Sequence, residues 1–88
     1  MTVRADVLAK FDTLPLGAYG GNYAGRRWRI AKSQFSGGRS QKIEAEELGG
    51  EGYISANLYR LATGHALLKP CEMSEEKVVA FIMGVAPD

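Results

Sequence analysis

Cysteine is all but missing from these 88 residues: Cys71 stands alone, so no disulfide can form within the chain. A reducing, cytoplasmic setting is the expectation. His65 is the single histidine, and one histidine with one cysteine cannot close a metal site. No apolar run approaches the roughly 20 residues of a membrane span. The first residues carry Arg4, Asp6 and Lys10 where a signal peptide would be apolar, so none is expected. Neither sign of charge dominates. Eleven Lys and Arg against ten Asp and Glu leave a net +1, short of the basic excess of a dedicated nucleic-acid domain. The glycine-rich stretch "GAYGGNYAG" lacks the Gly-Lys-Ser/Thr ending of a phosphate loop, and no strand is expected before it to make a dinucleotide fingerprint. No cofactor is expected.

What is present reads as one small domain over residues 1–88. The residues are 45% apolar and 24% charged, enough for one modest core. Val3, Val7, Phe11 and Leu14 recur at helical spacing within a stripe of about 80°. Thr2 is placed to cap that helix, and Pro15 ends it near Thr13. Four glycines in residues 14–25 predict a loop, with a short extra strand around Tyr19–Tyr23 left open.

Three strands follow in "RRWRIAKS", "QKIEAEEL" and "YISANLYRL". Pairing the first two so that Trp28 faces Ala45 and Ile30 faces Ile43 puts apolar side chains on one side. Arg27 then opposes Glu46, and Arg29 opposes Glu44. A slip of one residue would invert the faces. The third strand pairs Ala56 with Ala45 and Leu58 with Ile43. A fourth, "HALLKP", pairs Leu68 with Leu58 across a turn holding Gly64. A last helix starts after Ser74, with Glu75 and Glu76 in its first turn and a staple between Met73 and Val78. Val78, Phe81, Ile82 and Val85 form its buried stripe, which Val79 and Met83 broaden. The expected fold is α+β, in the order α-β-β-β-β-α. It is a four-stranded antiparallel meander with the N- and C-terminal helices packed on one face.

Two surfaces are candidates for function. The outer sheet face carries Arg27, Arg29, Tyr53, Asn57, Tyr59 and Lys69 beside Glu44, Glu46 and Leu67. Aromatic residues and arginine together suit a protein contact. The hairpin tip "KSQFSGGRSQK" offers Lys32, Phe35, Arg39 and Lys42 to a nucleic-acid backbone and base. Cys71, three residues before the last helix begins, is the third candidate, as a thiol nucleophile. The neighbouring Glu72, Glu75 and Glu76 disfavour its thiolate. His65 falls at the other end of the same strand, roughly 20 Å away, too far to activate it.

"FSGGRSQKIEAEELGGEGYISANLYRL" followed by "LLKPCEMSEEKVVAF" resembles a family of small uncharacterised bacterial proteins, some of which carry a peptide methionine sulfoxide reductase label. The A-type reductases hold their nucleophile in a Gly-Cys-Phe-Trp motif, which this chain lacks. Cys71 sits in "KPCEM" with no second cysteine to resolve a sulfenic acid. The resemblance therefore implies no catalytic residue. The expected function is that of a non-catalytic interaction module that meets a protein partner, or itself, through the outer sheet face. Nucleic-acid contact through residues 32–42 and thiol chemistry at Cys71 are the alternatives.

Overall fold

The computed structural model describes residues 2–88. Its first helix, α1, spans Ala5–Thr13 and buries Val7 and Phe11. The helix starts later than the pattern suggests. Arg4 occupies the cap position, with extended backbone and no side-chain cap. Thr2 is not a cap, because the residues before α1 run along the edge of the sheet. Thr2 bridges Leu67, and the Val3 amide donates to the Ala66 carbonyl at 2.9 Å. The helix does stop at Thr13, before Pro15.

The sheet is antiparallel and has six strands rather than four. They are β1 (Gly17–Tyr23), β2 (Arg26–Phe35), β3 (Ser40–Glu47), β4 (Tyr53–Arg60), β5 (Ala66–Pro70) and β6 (Ala86–Pro87). Their order across the sheet is β5-β4-β3-β2-β1-β6. The glycines of β1 hide it in the sequence, yet one of them, Gly21, is required by close backbone approach. A Cβ at Gly21 would lie 2.9 Å from both the Ala86 carbonyl oxygen and Ile30 Cδ1. One at Gly20 would lie 2.8 Å from the Arg27 guanidinium and the Asp88 carboxylate. Gly21 is glycine so that the β6 backbone can close against β1, whereas the side-chain ends beside Gly20 are free to move. β6 itself, two residues long, carries no pattern to read.

The faces fall as the alternation predicts, but two registers are displaced by two residues. Ile30 faces Ala45 and Arg29 faces Glu46. Ile43 faces Ala56 and Ala45 faces Ile54. A two-residue shift keeps every side chain on its own face, so alternation cannot detect it. Between β2 and β3 the hairpin decides it. β2 runs on to Phe35, which pairs with Ser40 across a tight turn at Ser36–Gly38. Ser36, Gly37 and Gly38 all take positive φ there. Between β4 and β5 the expected pair, Leu58 with Leu68, is found.

The second helix, α2, spans Glu75–Gly84 and buries Val78, Phe81 and Ile82. The Ser74 side chain accepts from the Lys77 amide at 3.1 Å. Ser74→Ala is expected to cost about 1 kcal/mol in urea unfolding, whereas Ser74→Asp keeps the cap. Val85 is buried just past the helix end, while Met83 is 41% exposed and does not widen the stripe. Phe81 packs against Tyr23 and Trp28, with ring centroids 4.9 and 5.1 Å away. Trp28, 5% exposed, donates its indole N–H to the Tyr23 carbonyl at 3.2 Å. Lys10 of α1 reaches the C-terminus of α2, where its Nζ donates to the Ile82 and Val85 carbonyls, both at 2.9 Å. Both helices thus lie over the face formed by Trp28, Ile30, Ile43, Ala45, Ile54, Ala56, Leu58 and Leu68.

Candidate functional site

Every helix of the described residues sits on one side of the sheet, so the other side is open. The registers arrange its central side chains in rows across β2, β3 and β4. Phe35, Ser40 and Tyr59 form the first row. Ser33, Lys42 and Asn57 form the second, Ala31, Glu44 and Ser55 the third, and Arg29, Glu46 and Tyr53 the fourth. β5 extends the first two rows with Leu67 and Lys69. β1 extends the last two with Ala18 and Gly20. The alternation with core residues places all of these outward.

Large side chains stand up from this face while small ones form its floor. Phe35 is 55% exposed, Tyr53 46% and Tyr59 37%. Lys69 Nζ lies 5.9 Å from the Tyr59 ring centroid, over the ring. A depression of about 240 Å³ opens over Ala18 and Ala31 and is walled by Arg29, Glu44, Glu46 and Tyr53. Lys42 Nζ approaches Glu44 at 3.9 Å. Among the described residues, neither Arg29 nor Glu46 has an ion-pair partner within 4.0 Å, although the two stand opposite each other. Arg27 is paired not with Glu46 but with Asp88, through two hydrogen bonds of 2.8 and 2.6 Å. Each holds the other's charge: Asp88 raises the Arg27 pKa, and Arg27 lowers that of Asp88.

The proposed nucleic-acid set is not brought together. Lys32 is only 4% exposed. It shares the core-facing parity of Trp28 and Ile30, a signal the sequence carried. Its Nζ donates to the Phe11 and Leu14 carbonyls at 2.7 and 2.9 Å and lies 4.2 Å from the Phe11 ring centroid. Lys32 closes the end of α1 and cannot touch a phosphate. Arg60 lies near the same end, ion-paired with Asp12 and hydrogen-bonded to the buried Gln41 at 3.0 and 2.9 Å. Lys42 points out on the sheet face rather than at the tip. Arg39 remains at the tip, its guanidinium turned back to the Ser36 carbonyl at 3.4 Å. Arg26, at the start of β2, is paired with Glu47 at 3.4 Å.

Cys71 is half-buried. Its amide donates to the Ser55 carbonyl at 2.9 Å, which continues the β4–β5 ladder. Its sulfur accepts from Asn57 Nδ2 at 3.6 Å. His65 lies in the β4–β5 turn, with its Nδ1 3.2 Å from Thr63 Oγ1. Among the described residues no three His, Cys, Asp or Glu side chains converge where they could hold a metal ion. Among the described residues no helix is long and apolar enough to cross a membrane.

No protein-family profile matches this chain, and no curated protein or solved structure matches it either.

Proposed function

We propose that this chain is a non-catalytic binding module whose working surface is the open face of the sheet, and that its partner is a protein. The observation that carries the reading is the one-sided packing. α1 and α2 both serve one face of the sheet, and the opposite face keeps Phe35, Tyr53 and Tyr59 raised above a floor of small residues. Exposed tyrosines beside arginine are the side chains that anchor protein contacts.

The charge pattern favours a protein as partner. Across β2, β3 and β4 Arg29 and Lys42 are matched by Glu44 and Glu46, with Lys69 at the β5 side, so a polyanion meets two carboxylates in the middle of the surface. Phosphate affinity grows with the number of phosphates neutralised, and Lys32, buried in the core, contributes nothing to that number. A protein surface of mixed charge meets no such penalty. Cys71 lends no support to thiol chemistry, since its one side-chain neighbour by hydrogen bond is an amide.

A photo-crosslinking residue introduced separately at Tyr53, Tyr59 and Met83, in the cells that make the chain, tests the reading. Nuclease-resistant protein adducts at Tyr53 and Tyr59, with none at Met83 on the helical side, are the expected result. Adducts confined to Met83, adducts that vanish with nuclease, or none at any position would each overturn it.

A further inference from the structure

The ten acids of the chain are unevenly placed: residues 32–43 and 54–71 contain none of them. The first stretch leaves along β2, rounds the hairpin and returns on β3. The second takes in β4, its turn and β5. The two meet at one end of the open face, because Ser40 pairs with Tyr59 and Tyr59 with Leu67. The strands supply no carboxylate at that end. Glu44 and Glu46 stand farther along β3, toward the other.

The cations of these stretches divide into two kinds. Lys32 is buried against α1, and Arg60 is held by Asp12 and Gln41. Arg39, Lys42 and Lys69 are left for the surface. Arg39 stands at the hairpin tip beside the Ser36 carbonyl. Lys69 lies over the Tyr59 ring. Lys42 faces outward in the next row, with Glu44 at 3.9 Å. Among the described residues neither Arg39 nor Lys69 is in an ion pair.

Between these cations the surface is apolar. Phe35 on β2 and Tyr59 on β4 stand on either side of Ser40, so their backbones are two strand spacings, roughly 10 Å, apart. The small serine leaves a notch between the two aromatic side chains. Leu67 follows Tyr59 across the sheet. Leu61, exposed, lies two residues beyond Tyr59. Its amide donates to the His65 carbonyl at 2.9 Å, which carries the β4–β5 ladder, and the outward facing of alternate residues, one step further. Contiguous exposed apolar side chains with a polar rim mark a contact site.

We infer that this end of the face takes an acidic protein segment anchored by an apolar side chain. The anchor seats over Ser40 between Phe35 and Tyr59, and Asp or Glu side chains beside it meet Lys42, Lys69 and Arg39. The inference rests on the reading that the open face binds a protein, and it names the chemistry of the partner's contact. Charge complementarity sets the sign. The count and layout of the charges set the class. Three cations neutralise few phosphates. A nucleic-acid strand or an anionic bilayer spread over the whole face also meets Glu44 and Glu46, whereas a protein segment places its acids at one end only.

The test is selection of short random peptides on the purified chain, followed by titration of the enriched peptides into isotopically labelled protein. Enriched sequences are expected to carry Asp or Glu beside an aromatic residue or leucine, and to shift the amides of residues 33–42 and 57–69. Phe35→Ala and Tyr59→Ala should each weaken binding about tenfold or more. Both should keep the folded circular dichroism spectrum, since these side chains are exposed. Lys42→Glu combined with Lys69→Glu should turn the selection from acidic to basic sequences. Enriched peptides with no excess of acids, binding unchanged in Phe35→Ala and Tyr59→Ala, or no enrichment at all would each overturn the inference. So would a single-stranded oligonucleotide, or vesicles of anionic phospholipid, that bind more tightly than the selected peptides. If the selection fails while Tyr53 and Tyr59 crosslink to another protein, the reading of the face stands and this inference alone falls. If those positions crosslink to nothing, both fall.

Discussion

Lys32→Ala is expected to destabilise the fold by about 3 kcal/mol and to lower its thermal midpoint by roughly 10–20 °C, although no surface property changes. The ammonium group bridges the carbonyls of Phe11 and Leu14 at the end of α1, inside a residue only 4% exposed. Removing it leaves those carbonyls without their cationic donor and opens a gap against the Phe11 ring. Lys32→Met separates the two causes. It fills the space of the stem but cannot donate, so most of the loss should persist. Thermal and urea unfolding followed by circular dichroism measure both variants. A Lys32→Met protein within about 1 kcal/mol of the parent would show that the hydrogen bonds contribute little.

The same lysine gives the stability a direction with pH. Burial lowers its pKa below the ordinary 10.5, with Asp12 opposing the shift and Arg60 reinforcing it. Between the lowered folded value and 10.5 the unfolded chain binds more protons at this position than the folded one, so unfolding becomes harder as pH rises. The contribution is complete above 10.5 and is lost as pH falls through the folded value. The stability difference between the parent and Lys32→Met should therefore widen as pH climbs toward 10.5.

Phe81→Ala should cost more, about 3–5 kcal/mol. Phe81 is fully buried and joins α2 to the sheet through Tyr23 and Trp28. A chain of this size has on the order of 4–13 kcal/mol to lose, so the variant sits near its unfolding transition at ambient temperature. Trp28 is the single tryptophan, and its fluorescence reports the outcome directly: a red shift and a lower urea midpoint for Phe81→Ala. Phe81→Leu, which keeps most of the volume, should lose less than half as much. Equal stability of Phe81→Ala and the parent would mean that the ring is not a keystone of the packing.

How far these features could be read from the residues depends on which physical rule governs each. Period-two alternation put Trp28, Ile30, Ile43 and Ala45 on the buried side, because a wrong parity would bury Glu44 and Glu46. The same rule is blind to a two-residue slip. The true partners of Arg29 and Ala45 were fixed instead by the positive φ angles of Ser36, Gly37 and Gly38 in the hairpin. β1 was obscured because glycine more often marks a turn than a strand that another backbone must approach closely. Lys32 was legible in principle: it lies two residues beyond Ile30 on an alternating strand. Its charge outweighed its parity, since a buried lysine needs acceptors that only α1, distant in sequence, supplies. On the candidate surface, outward parity identified Tyr53, Asn57, Tyr59 and Lys69. The row that joins Phe35 to Tyr59 emerged only once the registers were known.

Lys10 carries a consequence of its own. Its ammonium is lodged among the last carbonyls of α2 while its backbone belongs to α1, whose own end is held by Lys32 from the sheet. Fraying of α2 would strand a cation without its acceptors, and displacement of α1 would pull that cation out of α2. The two helices, distant in sequence, are thus riveted together and are expected to open as one cooperative unit.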